Sequence, residues 1–164
     1  MKTKKDNLKS LKTLLEIKER EEENVAKLLS EKLKRELSLK EEFEKVKAQV
    51  EKQKKLLNDI KYKRFLEIKN LSKGIVLEQW LNYEKGERIK LERLYERLKK
   101  AKEELEKAKR ETESAREALK KAANERKAVE KLIEKREFEI KKELEKKQEI
   151  EGEDLINVKF SFKK

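Results

Sequence analysis

Most of the side chains able to do chemistry in this sequence are carboxylates and cations. Thirty-six Asp and Glu stand beside 48 Lys and Arg, and His and Cys are absent. That inventory lacks the usual general base, a thiol nucleophile, and the nitrogen and sulfur ligands of metal sites. Three isolated glycines do not build a phosphate-cradling loop of the Walker or dinucleotide kind. The carboxylates are interleaved with Lys and Arg, as on a solvated helix face, and a catalytic carboxylate pair needs a pocket that two packed helices do not offer. The expectation is a non-enzyme with no cofactor and no metal. Its charged groups would serve pairing, within the chain or with a partner.

The scaffold that positions those charges is legible as a heptad seam. Positions 91, 94, 98, 101, 105, 108, 112, 115, 119, 122, 126, 129, 133, 136, 140 and 143 alternate steps of three and four, and twelve of the sixteen are Leu, Ala, Val or Ile. A spacing that averages 3.5 keeps a narrow stripe turned toward a partner helix, which predicts a coiled coil. Alanines at 101, 108, 115 and 122 would let two backbones approach closely there. The polar exceptions are Thr112, Arg126, Arg136 and Glu143, and a seam arginine fixes register or marks where the partner helix has diverged. High charge without a core is also the mark of disorder, but a sustained seam with no proline favours helix.

The first half of the chain carries a second, less regular stripe. It runs through Leu8, Leu11, Leu15, Val25, Leu29, Leu33, Leu37, Phe43, Val46, Val50, Leu57 and Ile60, with Lys18 and Glu22 on its path. Those charges predict a stutter or loose packing near residue 20. Asp6 or Asn7 would cap this helix, expected over about 6–73. Gly74 and Gly86 bracket an apolar segment, the expected turn, and a second helix would run over about 87–151. Two arms flanking a central break favour a single all-α domain, a long antiparallel two-helix coiled-coil hairpin, over one continuous helix dimerising in parallel. Beyond Gly152, the tail 152–164 alternates Ile156, Val158, Phe160 and Phe162 with polar residues. This strand-like period leaves open a frayed tail or a segment that docks on a partner.

Charge and aromatic residues mark two candidate contact regions. The formal net charge is +12, and Lys2, Lys4, Lys5, Lys9 and Lys12 oppose Asp6 alone at the start, with Lys159, Lys163 and Lys164 at the end. An antiparallel hairpin would bring these together as a basic end suited to an acidic protein surface or phosphates. Around the turn gather Tyr62, Phe65, Leu66, Trp80, Leu81 and Tyr83, which would close the hairpin or anchor a partner. The arms carry mixed charge without a helix-turn-helix, finger or stacking platform, so nucleic acid is not the expected partner. Absence of Cys, of any apolar run near 18 residues and of a signal-peptide core points to a cytoplasmic chain with no direct membrane insertion.

Two runs resemble a known family. Leu11-Lys-Thr-Leu-Leu-Glu-Ile-Lys-Glu-Arg-Glu-Glu-Glu23 resembles the opening of the flagellar export protein FliJ family, and Glu125-Arg-Lys-Ala-Val-Glu-Lys-Leu-Ile-Glu-Lys-Arg136 is similar to its closing helix. Glu151, Glu153, Asp154 and Phe160 also fit, whereas the apolar stretch from Leu155 to Phe162 departs from the pattern. The resemblance implies a cytoplasmic coiled-coil stalk of the bacterial flagellar type III protein export apparatus, peripheral to the inner membrane and serving flagellum biogenesis and motility. It implies partners in a hexameric export ATPase of the FliI kind, an export-gate protein of the FlhA kind and export chaperones. Carried over by position, Lys2, Lys4, Lys5, Leu8, Lys9, Leu11, Lys12 and Leu15 would enter the ATPase pore and regulate its assembly. Tyr62, Phe65, Trp80 and Tyr83 would face the gate. The alternatives are a YscO-type stalk of a virulence secretion system, a generic coiled-coil scaffold and a nucleic-acid-binding hairpin.

Overall fold

Heptad stripes on two stretches of one chain can each be covered by the other, and the computed structural model of the protein shows them doing so. It describes residues 2–71 and 73–162. Helix α1 spans Lys2–Lys69 and helix α2 spans Gly74–Phe162. The two pack antiparallel as an all-α helical hairpin, and no strand occurs among the described residues. Lys163 and Lys164, part of the expected basic end, lie outside the described residues.

The α2 seam is found where the periodicity puts it: all sixteen positions from Leu91 to Glu143 are buried or half-buried. The α1 stripe differs in part from its expectation. It runs without a slip from Lys4 to Glu67 in steps of four and three, taking in Lys18, Glu22, Lys32 and Glu36, so there is no stutter near residue 20. Packing there is loose, as expected: no described residue of α1 before Val46 is fully buried. Leu33 and Leu37, expected on the seam, are exposed instead, Leu37 at 59%. Burying them would break the 3.5 spacing that keeps Leu29, Leu39 and Phe43 on the stripe, so the register holds and two leucines stay outside.

The turn and the helix ends also differ. The connection is residues 70–73, not 74–86. Asn70 N–H donates to the Leu66 carbonyl at 2.9 Å, closing α1, and Val76 N–H donates to the Lys73 carbonyl at 3.0 Å, opening α2. Between them Leu71 takes a left-handed backbone, φ 53°. Gly74 is the first residue of α2, while Gly86 and Gly152 lie inside it. A helical glycine costs only about 1 kcal/mol. Near Gly86 the stripe continues backward through Glu87, Glu84, Trp80 and Leu77, all buried or half-buried, which holds that segment in the coil. The tail is helical to Phe162 rather than strand-like, because extending an existing helix avoids the nucleation step and no strand occurs among the described residues to pair with it. Helix α1 begins at Lys2, so Asp6 and Asn7 sit inside its first turns and do not cap it.

The chain divides into two compact units, Met1–Leu28 with Arg116–Lys164 (unit 1) and Leu29–Ala115 (unit 2). Unit 2 buries Val46, Val50, Leu57 and Ile60 of α1 with Ala101, Leu105, Ala108 and Ala115 of α2. Its alanines allow close approach: the Thr112 hydroxyl donates to the Ala108 carbonyl at 2.9 Å and lies 3.5 Å from the Lys32 carbonyl of the opposite helix. Unit 1 buries Val129 and Ile133, with Leu8, Leu11, Leu15 and Val25 half-buried on the facing stripe.

Candidate interaction surfaces

An unpaired ion on a half-buried stripe loses hydration without return, and several charged seam residues find partners. In unit 1, Lys4 pairs with Glu143 across the helices, and Arg126 joins Glu22 across the helices to Glu130 on its own. Lys18 reaches Glu125 at 3.2 Å. Arg136, the other seam arginine, meets Glu139 of its own helix at 3.2 Å. In unit 2, Lys32 reaches Glu111 at 3.0 Å. Polar layers thus interrupt the apolar stripe at intervals. The pairs that cross between the helices favour one antiparallel register, because a slip of one heptad would separate Lys4–Glu143, Lys18–Glu125, Glu22–Arg126 and Lys32–Glu111.

The expected ATPase-binding residues fall into three groups. Leu8, Leu11 and Leu15 are half-buried seam residues of unit 1, so they hold α1 to α2. Lys4 is held by Glu143, and Lys12 lies 3.5 Å from Glu137. Lys2, Lys5 and Lys9 are exposed and face outward. The basic start also meets an acidic stretch of α2, where Glu137, Glu139, Glu143 and Glu145 stand among Lys141 and Lys142. The end of unit 1 is therefore mixed in charge rather than uniformly basic.

At the turn of unit 2, Tyr62, Phe65 and Tyr83 are exposed, whereas Trp80 is half-buried on the seam. The Trp80 and Tyr83 rings meet edge to face with centroids 6.2 Å apart. Beneath them lie two carboxylates that the sequence reasoning passed over. Glu84, 2% exposed, accepts from Arg64 across the helices and from Arg88 at 2.9 Å. Glu87 accepts from Gln53 at 2.6 Å and from Lys90 at 2.8 Å. The signal was available: stepping back by four and three from Leu91 reaches Glu87, Glu84, Trp80 and Leu77. Expecting a turn there hid it.

These pairs give the protein an acid limit. Lys90, then Gln53, holds the Glu87 carboxyl below its usual range against the opposing effect of burial. Lys32 does the same for Glu111, and Lys4 for Glu143. A carboxylate depressed in the folded state stabilises it above the ordinary value of about 4.3, and the contribution is lost as pH falls through the depressed value. Protonation also leaves 48 Lys and Arg unopposed. The thermal midpoint followed by circular dichroism is expected to hold from neutral pH to about 5 and to fall steeply below about pH 4. A midpoint unchanged at about pH 3 would show that these pairs do not stabilise the fold.

No group of three or more Asp or Glu that could hold a metal occurs among the described residues, and no described helix is long and apolar enough to cross a membrane. Compared with protein-family models, curated proteins and solved structures, the chain finds no match.

Proposed function

We propose that this chain is a non-enzymatic coiled-coil stalk of a flagellar type III export apparatus, which enters the export ATPase ring, promotes its assembly and links it to the export gate. One observation supports this above the others. The two runs that resemble the FliJ family, Leu11–Glu23 and Glu125–Arg136, lie opposite each other in unit 1, joined by Lys18–Glu125 and Glu22–Arg126. Two runs that are distant in the sequence and resemble the same family thus face each other as a pair.

The division of the basic start suggests how such a stalk would work. Leu8, Leu11 and Leu15 keep the two helices together, narrow enough for a ring pore, and Lys2, Lys5 and Lys9 present charge to acidic groups lining it. At the turn, Tyr62, Phe65 and Tyr83 offer aromatic anchors to the gate, with Trp80 bracing the helices beneath. Hydrolysis belongs to the partner.

The test is the activity and hexamer content of the cognate export ATPase with and without the chain. The intact chain is expected to raise both. Lys2→Glu, Lys5→Glu and Lys9→Glu together, with Lys4 kept so that its pair with Glu143 survives, are expected to return both to the unstimulated level. An ATPase indifferent to the intact chain would overturn the proposal.

A further inference from the structure

The turn of unit 2 is an unusual way to end a helical hairpin. Leu71 sits at its apex in the left-handed region, φ 53°, with 92% of its surface exposed. Leucine is disfavoured there, and Asn70 beside it is of a type that tolerates the region. Neither turn geometry nor core packing explains an apolar side chain in that place. Ile75, 70% exposed, projects from the first turn of α2.

The end of α1 adds a matching face. Lys61, Phe65 and Ile68 are spaced i, i+4, i+7, and Tyr62, Phe65 and Lys69 are spaced i, i+3, i+7, so the five share one outward side of the helix. All five are exposed. Between residues 61 and 73, Lys61, Lys63, Arg64, Lys69 and Lys73 face one acid, Glu67. Arg64 is engaged by buried Glu84, and Lys61, Lys63, Lys69 and Lys73 are exposed.

We infer that this turn docks peripherally on an anionic lipid surface, with Leu71, Ile75 and Phe65 entering the headgroup region and Lys61, Lys69 and Lys73 contacting the phosphates. Charge complementarity selects a negative surface. The distribution selects lipid over an acidic protein: apolar groups on both sides of a convex turn need a partner that yields around them, and long lysines can lie along that boundary with their ammonium groups at the phosphates. A Tyr at the rim of the wedge suits the same interface. The contact is with one leaflet and needs no spanning segment. Tyr62 and Phe65 are shared with the proposed gate contact, so lipid and gate would compete for this turn. The ATPase contact lies on other residues, and loss of the ATPase effect would leave the docking standing.

Sedimentation of the full chain with vesicles tests this, using phosphatidylcholine alone and phosphatidylcholine mixed with phosphatidylglycerol. The chain is expected to bind the mixed vesicles and to be released by salt. Lys61→Gln with Lys69→Gln should lower partitioning about thirtyfold. Leu71→Asn should lower it about tenfold while leaving the thermal midpoint unchanged or raised, since Asn accepts the left-handed backbone. Lys2→Gln, Lys5→Gln and Lys9→Gln together should retain most of the binding. Failure to bind mixed vesicles at low salt would overturn the inference, and so would binding that the Leu71 variant keeps or that the Lys2, Lys5 and Lys9 variant loses.

Discussion

Leu105→Ala is expected to lower the unfolding free energy by about 3 kcal/mol, seen as a lower urea midpoint in far-ultraviolet circular dichroism. Leu105 lies on the seam of unit 2 between Ala101 and Ala108 and is 6% exposed. Truncation there removes apolar burial and leaves a void that small neighbours do not fill, so both the transfer and cavity costs apply. The same truncation at Leu37, exposed on α1, is expected to change stability by less than about 0.5 kcal/mol. The contrast tests the register directly, since apolar spacing alone places Leu37 on the stripe. Equal costs at the two sites would mean that α1 is rotated from the packing described.

Glu84→Ala is expected to cost about 2–3 kcal/mol, because it leaves Arg64 on the seam without its carboxylate. Side-chain exposure of 30% at Arg64 keeps this at the lower end, since water can reach part of the guanidinium. Arg64→Leu combined with Glu84→Leu should recover most of the loss or exceed the parent, because apolar packing replaces two charges that no longer need desolvation. A double-mutant cycle by urea unfolding separates the terms. If the double variant is the least stable, the pair contributes net attraction beyond the desolvation it incurs.

How far the hairpin was legible can be argued from particular residues. The α2 seam from Leu91 to Glu143 could be read because heptad spacing is a property of one helix by itself. The same rule failed on α1, where Leu33 and Leu37 attracted the stripe and Lys32 and Glu36 occupy it. Hydrophobicity cannot show that Lys32 is tolerated on a seam when Glu111, seventy-nine residues away, supplies the opposite charge. Gly86 misled in a similar way, for a glycine marks a turn only where the flanking stripe stops, and here it runs on through Glu84 and Trp80. Among the candidate contact residues, type and rough location were readable, but exposure was not: Lys2 and Lys4 look alike in sequence, and only Lys4 has Glu143 against it.

By itself, then, the sequence determined helix, heptad period and the lack of thiol and imidazole groups. Each of these is a matter of composition or of spacing within one segment. The tertiary structure decided where the chain turns, which charges share a layer, which leucines stay outside and which lysines remain outward-facing. Those outcomes depend on both helices at once. A charged side chain on a seam is costly or harmless according to what the opposite helix places beside it, and that is settled only when the two stripes pack.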